Sequence, residues 1–234
     1  MFKEVSQFIE EIYALVSMKG TPFNEPNLFL PLNGIYFFFE RGQKIMIGDR
    51  EFDRIVRIGI NEKPNNFRKR IRGHYKGNIE GSVFRENVGW ALLERANKKP
   101  KIVYRTKKNY KKQNSGGPIE DLINRYFSKA FTFKVFAIDY QKLAIYERTL
   151  IAAFSIYYQY KIWNGEMTLK DWLGYYSYSR KDKIKRSGLW NSEGVILVNS
   201  FKPLSFETKF ETRILSLSLL HSIRKDLIQN LIQI

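Results

Sequence analysis

The sequence predicts an α/β fold: a small central sheet flanked by helices, with helical extensions at both ends. Three observations predict it. Three short runs, 34–39, 54–60 and 131–138, are rich in aromatic and β-branched residues. Between and around them, longer segments repeat apolar residues every three or four positions. Glycine, proline and asparagine punctuate the joins.

In chain order, Val5, Phe8, Ile9, Ile12 and Tyr13 fall at helical spacing over 4–17. Residues 19–33 carry Gly20, Pro22, Pro26 and Pro31 and read as a loop. The run 34–39 is a strand, 40–53 a turn or short hairpin around Gly42 and Gly48, and 54–60 a second strand. Residues 67–74 form a short basic helix with Asn65 or Asn66 as its cap. A glycine-bearing loop over 77–82 precedes a helix over 83–96. The polar stretch 97–117 is a mobile loop or a basic hairpin, and Pro118 opens a helix through about residue 127.

After the strand at 131–138, residues 143–158 form an almost uniformly apolar, hence buried, helix. Residues 172–188 read as an ordered loop, 194–198 as a strand, and the chain from Glu207 onward as a helix. Packing these as two layers around one core is the simplest arrangement. The organisation expected is an N-terminal helix and loop over 1–29, a main domain over 30–195 and a C-terminal extension over 196–234. If the chain divides in two, the weakest point is near 160–175.

The 234 residues are 44% hydrophobic, enough for a real core. Forty Lys and Arg against twenty-three Asp and Glu leave a formal charge of +17. Such a field concentrates polyanions, so nucleic acid is the first partner and an anionic membrane surface its rival. The absence of cysteine excludes disulfides, thiolate metal sites and cysteine nucleophiles, and fits a reducing, cytoplasmic setting. The start lacks the apolar run of a signal peptide, and no stretch nears the roughly 18 apolar residues of a membrane span. Stable membrane insertion is therefore not expected.

Few residues can carry chemistry. Glu147 lies in an apolar helix, where an unpaired charge is costly; it must be ion-paired (Arg148 being one choice), protonated or metal-bound. Arg70 and His74 stand four apart and share a helix face, joining a phosphate-gripping guanidinium to a proton-carrying imidazole. The alternative is a solvated charge run, since Arg68, Lys69 and Arg72 adjoin them. Tyr36 shares one strand face with Phe38, opposite Ile35, Phe37 and Phe39, and serves either as core packing or as a phenol that orients water.

Taken in order, these residues resemble the GIY-YIG nuclease superfamily. Gly34-Ile35-Tyr36 matches its opening motif, and Arg57-Ile58-Gly59 stands where the family has Tyr-Ile-Gly. Arg70 and His74 match an arginine followed four residues later by tyrosine or histidine, and Glu147 matches the single metal-binding carboxylate. The stretches 81–89, 171–174 and 184–190 resemble an uncharacterised branch of that superfamily, and the likeness covers roughly residues 30–195. Two departures stand out. Arg57 replaces the second motif tyrosine. The family's downstream asparagine has three candidate counterparts, Asn164, Asp171 and Asn191, of which the flanking Trp-Leu-Gly favours Asp171.

The resemblance implies a mainly antiparallel sheet and a metal-dependent endonuclease acting on double-stranded DNA. It assigns Mg²⁺ or Mn²⁺ to Glu147, the scissile phosphate to Arg70 and water activation to Tyr36 or His74. Arg57 and Asp171 complete the expected catalytic set, and cutting both strands with one site per chain would favour a homodimer. The rivals are a weakened or inactive nucleic-acid-binding protein of the same fold and a membrane-surface or scaffolding domain.

Overall fold

The computed structural model describes residues 2–16, 30–77, 81–96, 118–176, 182–198 and 216–230. The expected basic stretch 97–117, most of the loop over 19–33 and the start of the C-terminal helix lie outside these residues. Helix α1 (Phe2–Leu15) buries Val5, Phe8, Ile9, Ile12 and Tyr13 along one stripe. Strands β1 (Gly34–Ile47) and β2 (Arg50–Ile60) form one long hairpin, so the run 40–53 prolongs both strands instead of making a separate turn. Gly48 turns the tip with φ +57°, a backbone setting that side chains resist. Helices α2 (Phe67–Lys76), α3 (Val83–Arg95) and α4 (Pro118–Ala130) follow, then β3 (Phe131–Ala137). The order β2-β1-β3 is antiparallel throughout.

Helix α5 (Tyr140–Trp163) is buried along most of its length. A 3₁₀ turn (Leu173–Tyr176), a short helix α6 (Asp182–Ser187) and helix α7 (Leu217–Gln229) complete the described chain. The alternation expected for β1 holds. Tyr36 and Phe38 meet Phe67, His74 and Phe84 on one face. Phe37 meets Phe154 of α5 on the other.

The run 194–198 is not a strand, despite its β-branched residues. Its backbone is satisfied by side chains of α5: Ser155 Oγ accepts from Ile196 N (3.1 Å), Gln159 Nε2 donates to Ile196 O (2.7 Å) and Gln159 Oε1 accepts from Val198 N (2.9 Å). With those groups paired to a helix, no partner strand is needed.

Two devices fix the sheet where the site will form. Glu40, buried on β1, accepts hydrogen bonds from the Tyr126 hydroxyl, from Trp172 Nε1 (2.8 Å) and from Trp190 Nε1 (2.9 Å). A carboxylate held by three donors can stay buried, and it draws Trp172 and Trp190 onto the domain. The backbone of β2 is met in turn by Trp190, Asn191 and two tyrosines. Trp190 N donates to Val56 O (2.7 Å), and the Asn191 amide both accepts from Ile58 N (3.1 Å) and donates to Ile58 O (2.8 Å). Tyr13 Oη accepts from Ile55 N (3.0 Å), while Tyr158 donates to Ile55 O (2.8 Å).

Candidate active site

Tyr36 and Gly59 are cross-strand partners in the β1–β2 register. The phenol lies across the glycine: a Cβ at position 59 would come within 2.2 Å of the Tyr36 hydroxyl oxygen and 2.3 Å of its ring. The glycine two residues after Arg57 is therefore the floor on which the tyrosine rests. Both Tyr36 and His74 are 0% exposed.

Helix α2 brings His74 to that phenol, with the Tyr36 hydroxyl 2.8 Å from His74 Nε2. The other ring nitrogen, Nδ1, is 2.9 Å from Ser82 Oγ. Ser82 is also the N-cap of α3, where its Oγ accepts from Arg85 N (3.3 Å). Arg85, fully buried, donates to the carbonyls of His74 (2.9 Å) and Tyr75 (3.3 Å) and pairs with Glu120 (2.7 Å), which locks α2, α3 and α4 together. Burial, and then the positive charges of Arg70, Arg57 and Arg85, pushes the His74 pKa well below the ordinary imidazole range. The ring is neutral at pH 7.

Arg70 is the hub. It pairs with the exposed Glu62 at 3.1 Å and lies beside the Tyr36 hydroxyl, within electrostatic reach of Glu147. Burial alone would lower its pKa, but the Tyr36 oxygen and the carboxylates of Glu62 and Glu147 outweigh it, and the net shift is upward. Asn66 is the N-cap of α2, as expected: its backbone carbonyl accepts from Arg70 N, although its side chain makes no capping bond.

Arg57, paired across the sheet with Phe38, is 8% exposed. Its guanidinium sits 4.9 Å over the Phe84 ring and donates Nη1 to Trp190 O (3.2 Å). Glu147, half-buried on α5, makes no direct hydrogen bond or ion pair among the described residues, and Arg148 beside it points to solvent. Burial raises its pKa; the charges of Arg57 and Arg70 oppose the rise, and Glu62 and Glu193 add to it. Tyr36, Arg57, Arg70, His74 and Glu147 are thus linked into one electrostatic neighbourhood.

The three candidates for the downstream asparagine differ in setting. Asp171 is exposed, and its neighbour Trp172 is drawn to Glu40, four residues along β1 from Tyr36. Asn164 is the exposed C-cap of α5 and donates to Glu166 (3.1 Å) on the turn that follows. Asn191 is buried and pinned to Ile58, between Arg57 and Gly59. Asn191 therefore joins the neighbourhood of Arg57, whereas no contact of Asp171 with the other candidates occurs among the described residues. Sequence reasoning missed Ser82 and Glu62. The signal for Ser82 was a capping residue just before an apolar helix.

Among the described residues, no group of three or more His, Asp or Glu side chains is arranged to hold a metal. No helix among them is long and apolar enough to cross a membrane. The model of the GIY-YIG domain family matches residues 5–217, taking in α1 as well as the sheet and site. No curated protein and no solved structure matches the chain. A match of that extent, over a fold that seats the motif tyrosine on the motif glycine, means that this chain belongs to the GIY-YIG domain family.

Proposed function

We propose that the chain is a divalent-metal-dependent endonuclease that hydrolyses phosphodiester bonds of double-stranded DNA. The observation that carries this reading is Glu147, a half-buried carboxylate without a direct partner, sharing its field with Arg57 and Arg70. A lone carboxylate that burial disfavours suits a hard cation that keeps most of its waters, and Mg²⁺ and Mn²⁺ are of that kind. When bound at Glu147, such an ion supplies Lewis-acid charge to the phosphate and the leaving oxygen.

The chain's own groups account for the rest. Arg70 grips the non-bridging oxygens of the scissile phosphate, taking them in exchange for Glu62, the carboxylate with which it now pairs. Arg57 adds a second fixed positive charge where the family has a phenol. Tyr36, backed by His74, orients the water whose oxygen adds to phosphorus, losing a proton to solvent, as the P–O ester bond breaks. The departing oxygen takes up a proton from solvent. The formal charge of +17 supplies the sequence-independent part of DNA affinity.

The test is cleavage of supercoiled plasmid with Mg²⁺ or Mn²⁺, beside a chelator control and Glu147→Ala, with folding checked by circular dichroism. Cleavage that needs metal and Glu147, with DNA affinity kept in the variant, supports the proposal. Metal-dependent cleavage by the folded variant overturns it. A second reading, DNA binding without turnover, is favoured by the complete burial of Tyr36 and His74 together with Arg57 at the motif tyrosine's position. Binding with no cutting by the parent protein would select it.

A further inference from the structure

The chain of contacts Tyr36–His74–Ser82 has a direction, and hydrogen accounting fixes it. A neutral imidazole carries one N–H and the two hydroxyls one O–H each, giving three hydrogens for two contacts. One hydrogen must leave the chain at one end. At the Ser82 end the side chain is buried, its Oγ already accepts from Arg85 N, and among the described residues no acceptor besides His74 Nδ1 is hydrogen-bonded to it. A buried hydroxyl without an acceptor is costly. At the Tyr36 end the hydroxyl is buried as well, but it lies beside Arg70, the residue to which the proposed reading brings phosphate.

We infer that Ser82 is a positioning residue that sets this direction. Its hydroxyl donates to His74 Nδ1, which leaves the ring's single hydrogen on Nε2. Nε2–H then donates to the Tyr36 oxygen, and the phenolic hydrogen is turned out toward a phosphate oxygen or the attacking water. Tyr36 acts as a donor there because a helix cap two contacts away has used its own hydrogen inward. This rests on the proposed nuclease reading for the acceptor at the Tyr36 end and for its consequence, while the contacts themselves do not depend on it. It also gives a purpose to the stretch 81–89: Ser82 aims His74, Phe84 carries Arg57, and Arg85 clamps the carbonyl of His74.

Ser82→Asp is the decisive variant, because aspartate caps a helix as well as serine does but can only accept from Nδ1. It forces a hydrogen onto Nδ1 and reverses the chain. The charges facing the ring are Arg70 on α2, Arg57 on β2 and Arg85 on α3, with Tyr36 on β1. The experiment is ¹⁵N NMR of histidine-labelled protein, with His74 assigned by difference from a His221 variant, beside cleavage and DNA-binding assays. The expected result is the Nε2–H tautomer in the parent protein and in Ser82→Thr. In folded Ser82→Asp, Nδ1 should be protonated and cleavage down about tenfold to a hundredfold, the range for partners that orient functional histidines, at unchanged DNA affinity. An Nδ1–H ring in the parent protein overturns the inference. So does a Ser82→Asp protein with the parent's ring signature and turnover, which would make Ser82 a helix cap alone. If the parent protein does not cut DNA, the nuclease reading fails while the NMR signature still decides the direction of the chain.

Discussion

Gly59 lies directly beneath the ring of Tyr36, with space for a hydrogen and none for a methyl group. Gly59→Ala must push the phenol off its seat, since the added Cβ would sit 2.2 Å from the hydroxyl oxygen. Overpacking of this kind costs about 1–3 kcal/mol. The expected outcome is a lower unfolding midpoint in denaturant, together with loss of cleavage larger than the loss of folded protein explains. Parent-like stability and cleavage would show that the ring moves freely.

Glu62 occupies Arg70 as a phosphate would. The carboxylate is 73% exposed, so the pair contributes at most a fraction of a kcal/mol to folding. Glu62→Gln should therefore leave the melting temperature unchanged within error while tightening DNA binding by about threefold to tenfold at low salt. Fluorescence anisotropy at two salt concentrations measures this. An equal or weaker affinity would mean that the phosphate does not compete for Arg70.

Glu147 should cost stability in the metal-free protein. Its pKa is raised by burial, so the folded state holds its proton more tightly than the unfolded chain does. The penalty is absent below the unfolded value near 4.5 and grows as pH rises through the folded value. Glu147→Gln should thus be more stable than the parent at pH 7 by about 1 kcal/mol, the scale typical of relieved functional sites, and equal to it at about pH 4. Urea titrations at both pH values in chelator, followed by addition of Mg²⁺ or Mn²⁺, check the sign. Metal should stabilise the parent but not the variant.

His74 predicts the opposite slope. Its folded pKa lies well below 6.5, so below that value the unfolded chain takes up a proton that the folded one refuses. The neutral ring's contribution is fully present above 6.5 and is lost as pH falls toward the folded value. His74→Gln should flatten the stability profile between about pH 6.5 and the folded value, with other groups providing the background. An unchanged slope would mean that folding does not lower the pKa of the ring.

Much of the site was legible in the sequence because it obeys local periodicities. Strand alternation puts Tyr36 and Phe38 on one face, and a four-residue step puts Arg70 and His74 on one side of α2. Glu147 stood out because a carboxylate in an apolar helix needs an ion-pair partner, a proton or a metal. What stayed hidden depends on register and on contacts between distant elements. That Gly59 faces Tyr36 is a property of the β1–β2 pairing, and Glu62 reaches Arg70 only because the turn after β2 folds back. Ser82 read as a loop residue because a capping signal does not say what else its oxygen touches. The run 194–198 misled because β-branched residues report a fit to an extended, half-buried path, and here that path lies along a helix. The Trp-Leu-Gly flank drew attention to Asp171, but its tryptophan serves Glu40, while Asn191 is the residue tied to the motif strand.

The clasp of Trp190 and Asn191 on Val56 and Ile58 bears on how two copies of the chain can assemble. A strand whose outer amides and carbonyls are already taken offers no template for strand addition. Two molecules cannot merge their sheets along this stretch of β2, and the same clasp holds the carbonyl that steadies Arg57. Any pair that cuts opposite DNA strands must therefore meet elsewhere than along residues 55–58 of β2, which leaves the arginine among them within its own subunit.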